Sequence, residues 1–467
     1  MAPGAPGGRG EDRSAGTGRT VRRIPWVAIA VTALVLVSAP FAAPSVRDAV
    51  TLGPVEDARL ALSNAYLALA PVSAVLDTIT LVTLAQRVSL LAWAVVLYGV
   101  WRLVAKRRPR SAAARVSGGG GGAGAGTGAG IGSGIGSGIG AGAELKALAA
   151  FLACVAIVCA AAAWLPRPMA RLYLTAPDAF AVDFRVETQY GPAGRSGWTP
   201  DDARTWARAA GFDAAYVADT RTLEGADRAR AVNPVAAGLG TVLLPALAVD
   251  YRGEQVLLLD AGRLYKGLTN EELTEIDEQK LTIAGFFRNQ EPVLVETMPG
   301  TLTDVVPAHG PTTTGVRAIE LVDGSTGGLA QTRRDRSRII EFADSLNLAL
   351  VSATDHGGSG RAAPAWTVLR FGLWREMSPD SLGAAIDEII RGGGRRATEV
   401  VERNVAGGST LITAALAPVL VPWRMLATLS GGERVAWIVW AWASAAALTG
   451  VRKRRASTGP PARARTR

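Results

Sequence analysis

The sequence predicts an α/β domain, a βα barrel or doubly wound sheet, carried by about four transmembrane helices. Three observations carry this. Apolar residues make up 49% of the chain but collect in a few long runs, which is the membrane pattern. Between two of those runs, residues 172–405 have mixed composition, with β-branched segments alternating with amphipathic ones as βα units do. The formal charge of +10 gathers beside the apolar runs, in Arg9–Arg23, Lys106–Arg115 and Arg452–Arg467. Basic flanks of this kind set topology, so the charge speaks for the lipid bilayer as partner and against nucleic acid.

In chain order, a basic cytoplasmic tail (1–23) precedes the first run, Ile24–Ala43. At about 1.5 Å per residue such a run crosses a hydrocarbon core of about 30 Å. Small residues near Ala42 and Ala43 also fit a signal-peptide cleavage site, and both readings leave residue 50 outside. Residues 44–87 read as an extracytoplasmic amphipathic segment, in which 55–84, ending in Leu76–Leu84, is expected to be helical and to rest on the membrane surface. The second run, Val88–Val104, returns the chain to the cytoplasm at Lys106-Arg107-Arg108. Residues 105–144 are basic and then almost pure Gly, Ala, Ser and Ile. With nothing to pack they cannot repay ordering entropy, so a flexible linker is expected. Their Gly-x-Gly repeats are no phosphate loop, because no strand precedes them and no Lys-Ser/Thr follows.

The third run, Leu145–Leu165, places residues 172–405 outside by parity, and the fourth, Val435–Val451, leads to the basic cytoplasmic tail 452–467. Segment 409–429 is apolar but broken by Pro418, Pro422 and Arg424. Counting it as a span would put the basic tail outside, so it reads as interfacial or re-entrant. The expected location is therefore the cell membrane, multi-pass, with the main domain extracytoplasmic. The only cysteines, Cys154 and Cys159, fall on different faces of one run, so neither a disulfide nor a metal clip is expected.

Within the domain, strands are expected at Phe180–Val186, Ala214–Ala218, Val242–Val249, Gln255–Leu259, Val293–Val295, Val316–Leu321, Leu348–Ser352 and Trp366–Phe371. Thr199 as N-cap, Pro200 at the first position and Asp202 at the third mark one helix. Others read at Glu224–Ala231, Asn270–Glu278, Arg334–Leu346 and Pro379–Arg391. Strands end repeatedly on acids: Asp219, Asp250, Asp260, Asp323 and Asp355, with Asp183 and Glu187 on the first strand. In a βα barrel such ends converge on one mouth, where sites are built. Each Asp taken singly is equally well a helix cap.

These residues resemble the PHP family, the polymerase and histidinol phosphatase superfamily, over about residues 178–405. The likeness runs through Asp183-Phe184-Arg185-Val186-Glu187-Thr188, Gly197-Trp198-Thr199-Pro200-Asp201-Asp202, Val217-Ala218-Asp219-Thr220, Leu244-Pro245 and Tyr251-Arg252-Gly253-Glu254. It ends with Thr354-Asp355-His356-Gly357 and Gly360-Arg361-Ala362-Ala363-Pro364. The resemblance implies a distorted βα barrel of about seven strands whose histidine-rich mouth holds divalent metals and hydrolyses phosphoesters.

The ligand positions depart from that pattern. Arg185 and Glu187 stand at the two opening histidines, Pro192 at the next, Thr220 and Ala248 at later ligands, and Gly357 at the last histidine. With His309 and His356 the only histidines, a His-rich trinuclear cluster cannot form. Oxygen chemistry remains: Glu187, Asp250 and Asp355, with His356 beside them, can hold one Mg²⁺, Mn²⁺ or Ca²⁺. Arg185 and Arg361 are candidates for a phosphorylated or otherwise anionic small ligand. The expected function is a membrane-anchored PHP-like module with lost or reduced phosphoesterase chemistry that binds a ligand or partner. A divergent carboxylate-based phosphoesterase is the alternative, and a structural or transport-accessory role in the envelope is a third. The spans show no inverted repeat or facing polar residues, which argues against a transporter.

Overall fold

The structure is a computed structural model and describes residues 25–107, 141–259, 269, 271–277, 279–281, 292–297, 315–407 and 410–457. The Gly-rich linker, Asp260 and His309 lie outside the described residues. The first part runs α1 (Trp26–Ser38), β1 (Val46–Asp48), β2 (Ala58–Ala61), α2 (Asn64–Ala68), α3 (Ala70–Leu81) and α4 (Leu84–Arg107). Then α5 (Ala141–Trp164) and β3 (Arg171–Leu174) lead into the domain. Its elements are β4 (Ala179–Val186), α6 (Pro200–Ala210), β5 (Ala214–Val217), α7 (Glu224–Ala231), β6 (Val242–Tyr251) and β7 (Glu254–Leu259). They continue with β8 (Leu294–Glu296), β9 (Val316–Asp323), α8 (Arg333–Leu346), β10 (Ala349–Ala353), β11 (Ala365–Arg370), α9 (Pro379–Gly393) and β12 (Glu399–Arg403). The chain ends on α10 (Leu411–Ala415), α11 (Ala417–Ala427) and α12 (Gly431–Ser457).

Ten strands form one mixed sheet in the order β1-β12-β11-β4-β5-β6-β7-β8-β9-β10. Parallel pairing, expected throughout, holds only within β4-β5-β6 and β8-β9-β10. The rest is antiparallel for local reasons. Between β6 and β7, Arg252 and Gly253 have φ of 53° and 87°, so a two-residue primed turn closes a hairpin and fixes the antiparallel register Tyr251↔Glu254. The sheet curls until the segment after β10 meets the end of β4. Asp355 N–H donates to the Arg185 carbonyl and Glu187 N–H to the His356 carbonyl, both at 3.1 Å.

Strand alternation sorts the core onto the two faces. Phe180, Val182 and Phe184 join Tyr216, Leu257 and Val295 on one face, where Leu382, Ile386 and Ile390 of α9 cover them. The opposite face carries Trp206 and Ala207 of α6 against Trp366, and Ile339 and Ala343 of α8 against Leu247 and Leu350. Each such fully buried large side chain contributes roughly 1.5–3 kcal/mol relative to exposure. The capping box expected at Thr199 and Asp202 starts α6, and Gly211 in the left-handed region (φ 96°) ends it.

Three readings need correction. Residues 271–277 form turns and a single bridge, Asp250–Glu275, instead of a helix. Where four spans were expected, three helices among the described residues are long and apolar enough to cross a membrane: Leu84–Val104, Leu145–Trp164 and Gly431–Val451. The first run yields a helix of 13 residues, stopped at Pro40 by a 3₁₀ turn. At about 1.5 Å per residue that is roughly 20 Å, short of a hydrocarbon core. Finally, β1 and β2 arise inside the segment read as amphipathic. β1 extends the domain's sheet by pairing Val46 with Arg403, and β2 pairs with β3.

Candidate functional site

The end of β4, the segment after β10 and the end of β9 assemble one charged cluster around Arg185. Its Nη2 lies 3.1 Å from Glu187 Oε1, and its Nε 3.1 Å from Asp355 Oδ1. The arginine side chain is 11% exposed, Glu187 1% and Asp355 20%. Asp355 takes φ of 49°, a region where Asp is tolerated better than most residues, and its backbone bond to Arg185 holds it there. Burial works against the Arg185 charge, but Asp355, Glu320, Glu187 and Asp323 outweigh it and its pKa rises. Burial also pushes the Glu187 carboxyl up, and Arg185 opposes that.

The remaining strand-end acids are held by hydroxyls and amides. Asp183 accepts from Thr354 N–H at 2.9 Å, from the Thr354 hydroxyl and from Arg185 N–H at 3.2 Å, while full burial raises its pKa to about 7. Asp219 accepts from Thr188 N–H and Oγ1, each at 2.6 Å, with burial again pushing it up. Asp323 accepts from Ser325 N–H at 2.8 Å and Oγ at 2.6 Å, and burial raises its pKa too. None of these acids caps a following helix; the helix caps are threonines and serines such as Thr199, Thr332 and Ser378.

Of the expected cation ligands, the structure brings only Glu187 and Asp355 together. Asp250 is exposed at the far end of β6, beside the hairpin, although Ala248 on the same strand is buried. Alternation fixes the side of a residue but not whether the strand has already left the cluster. His356 faces the opposite way. Its ring stacks on Trp206 at 3.8 Å and 7°, with Trp198 edge-on at 5.2 Å, and burial pushes its pKa down to about 3. It is a neutral core residue of the α6 layer, not a ligand at the mouth. Arg361 also lies elsewhere: burial first, then Arg167, lower its pKa, and Gly360 N–H bonds the Ala163 carbonyl at the end of α5 at 2.8 Å. Arg185 and Arg361 therefore do not form one anion site.

Glu320 is the member the sequence reading passed over. It is 1% exposed and contributes to the field at Arg185. An acid inside the apolar run Ala318-Ile319-Glu320-Leu321 was the available signal, since buried charges are paired or functional. The donor set does not suit the metal centre implied by the resemblance. A guanidinium already sits between Glu187 and Asp355, and among the described residues no imidazole reaches them. Among the described residues, no group of three His, Cys, Asp or Glu is placed to hold a metal ion.

No family model matches the chain, and no curated protein does. Among solved structures it is similar to PsfC from Pseudomonas syringae, at 14% identity over 53% of this chain and 98% of that one, TM-score 0.32. It is also similar to the lesion-specific endonuclease PfuEndoQ from Pyrococcus furiosus, at 13% identity over 49% of this chain and 58% of that one, TM-score 0.31. A third is a protein from Bifidobacterium adolescentis assigned as a metal-dependent phosphoesterase, at 14% identity over 44% and 94%, TM-score 0.25.

Proposed function

We propose that the sheet domain is a binding module on a PHP-like scaffold, attached to a membrane through α4, α5 and α12, in which Arg185 has taken the place of a catalytic cation. The observation that carries this is the double ion pair of Arg185 with Glu187 and Asp355. A metal-assisted hydrolase needs its cation to acidify water and to neutralise phosphate charge. A guanidinium neutralises charge but offers water no open coordination position, so the module recognises without hydrolysing. The ordered sequence pieces from Asp183 to Pro364 support the scaffold, and the basic flanks of the apolar helices support an extracytoplasmic domain.

One observation favours the second reading, a divergent carboxylate phosphoesterase. Glu187 and Asp355 together are two carboxylates against the one arginine between them, and a hard cation would neutralise the difference. The test uses the full chain in detergent with excess Mn²⁺, Mg²⁺ or Zn²⁺. The binding-module reading expects no saturable metal binding and no hydrolysis of a generic phosphomonoester or phosphodiester above background. The variant Arg185→His/Glu187→His/Thr220→His/Ala248→Glu should gain metal affinity, because Thr220 and Ala248 already lie side by side in a parallel bridge. Turnover by the unmodified chain that Asp355→Ala abolishes would establish the second reading instead.

A further inference from the structure

Between the sheet domain and the apolar helices the chain encloses a cavity of about 230 Å³. Its walls are of two kinds. Leu81 of α3, Val421 and Met425 of α11, and Leu429 supply apolar surface. Tyr66, Asp77, Arg403, Asn404 and Glu433 supply polar surface.

Most of that polarity is satisfied internally. Asp77, 4% exposed, takes Arg167 Nη2 at 2.8 Å and Nε at 3.2 Å, with Arg403 Nη1 at 3.6 Å and the Tyr66 hydroxyl at 3.4 Å. Glu433 accepts from Ser430 N–H at 2.8 Å. Two atoms stay unmet: Arg403 Nε and Asn404 Oδ1 have no hydrogen-bond partner among the described residues. Their residues are 8% and 6% exposed, and neighbouring buried donor and acceptor groups without partners point to an occupant. The space far exceeds what one water needs, and half its wall gives water nothing to bond.

The position of the cavity narrows the occupant. Glu433 lies in the first turn of α12, where the apolar stretch Gly431–Val451 begins. Beside it, α10 and α11 expose Leu411, Ile412, Leu416 and Val419. With α12 spanning a bilayer, this is headgroup depth, where amphipathic surfaces settle. Two further charges line the cavity, opposite in sign: Glu433, and Arg403, which Asp77 shares with Arg167 and whose Nη2 donates to the Ala170 carbonyl at 3.3 Å.

We propose that this cavity is a phospholipid site for a zwitterionic phosphoethanolamine headgroup. Arg403 meets the phosphodiester, Glu433 and Asn404 meet the ammonium, and the acyl chains leave along Leu81, Val421 and Met425. Such a lipid would lock the domain onto its helices, since Asp77, Arg167, Arg403 and Glu433 come from four separate parts of the chain.

The experiment takes the full chain through delipidation in detergent. It then adds phosphatidylethanolamine or, separately, water-soluble glycerophosphoethanolamine, and reads bound lipid by native mass spectrometry and the shift in Tm. We expect one phosphatidylethanolamine retained per chain, a Tm rise with the lipid, and none with the soluble headgroup. Ala406→Leu and Thr78→Leu each add a side chain to the cavity wall and should lower affinity at least about tenfold. Leu411→Ser, on the exposed face of α10, should leave it unchanged. Two filling variants are used so that one failing to fold does not void the test. Equal retention in the filled variants would make the lipid an annular one. No retention would leave the cavity to water. Stabilisation by the soluble headgroup alone would make it a free-metabolite site. Each of these three results overturns the proposal.

Discussion

Replacing Arg185 by Met keeps most of the side chain's volume and removes its charge, leaving Glu187 and Asp355 facing each other without a partner. Breaking a buried pair by deleting one member costs about 3–5 kcal/mol. Asp355, at 20% exposed, can relax toward water, whereas Glu187 at 1% cannot, so the lower end, about 3 kcal/mol, is expected. For a domain of this size that is a fall in Tm of roughly 6–12 °C. The deficit must depend on pH. Burial already raises the Glu187 pKa, and removing the arginine removes the influence that opposed it. A carboxyl whose folded pKa lies above its unfolded one stabilises below the unfolded value and loses that contribution as pH rises through the folded value. The Arg185→Met deficit should therefore be larger at pH 8 than at pH 5, and adding Glu187→Gln should recover much of it. Thermal unfolding of the full chain in detergent at both pH values provides the measurement. A deficit under about 1 kcal/mol that ignores pH would refute the view that the ion pairs organise the mouth.

Further expectations follow from single side chains. Burial first and Glu254 second push Glu296 to about 8, so its contribution to stability is present below the ordinary carboxyl range and lost as pH climbs to 8, and Glu296→Gln should flatten the Tm profile between about pH 5 and 8. His356→Phe should cost less than about 1.5 kcal/mol, because the ring is a neutral stacking partner of Trp206 whose Nε2 has no hydrogen-bond partner among the described residues. A loss above about 3 kcal/mol in chemical denaturation would contradict that role. Gly225→Ala drives a methyl group into the Asp219 carboxylate and Thr188 Oγ1, and should destabilise by about 1–3 kcal/mol in the same assay. In a chain with Cys154 and Cys159 replaced by Ala, an impermeant thiol reagent on intact cells should label Asp201→Cys and spare Thr127→Cys. The reverse pattern would invert the proposed topology.

Where the sequence was legible, local chemistry decided the structure. Thr199, Pro200 and Asp202 state a helix start in side-chain terms, and α6 begins there. The apolar runs from Phe180 to Trp366 are short and rich in β-branched and aromatic residues, and as strands buried on both faces they satisfy their backbone groups by pairing with neighbours. What failed depended on distant partners. β1 is only three residues with Arg47 and Asp48 in it, and nothing in Val46-Arg47-Asp48 foretells that β12 will pair with it from over 350 residues away. Mixed pairing was missed because alternation of apolar segments carries no strand direction. The Arg252-Gly253 turn carried it, and a two-residue connection between β6 and β7 admits only a hairpin.

The same distinction separates the site residues that came together from those that did not. Asp355 and His356 are neighbours in sequence, yet one reaches Arg185 while the other stacks under α6. The left-handed backbone at Asp355 (φ 49°) turns the chain between the two side chains, so a histidine displaced by one residue cannot do the work of one at Gly357. Gly357 also leaves no room: a Cβ there would fall 2.8 Å from the Ala193 carbonyl oxygen. Restoring a histidine at that position therefore requires the Ala193–Gly194 loop to move. This gives the proposed loss of metal chemistry a steric as well as an electrostatic side. Arg185→His alone would supply an imidazole and remove the competing charge, but the last ligand of the family pattern would still be shut out by backbone. A Gly357→His substitution added to the four-residue variant should lower its stability without raising metal affinity further. Pairing it with deletion of Gly194, which shortens that loop, is the combination in which an increase in Mn²⁺ affinity would show the loop to be the barrier. If Gly357→His raises affinity with the loop intact, the steric argument is wrong and charge alone closed the site.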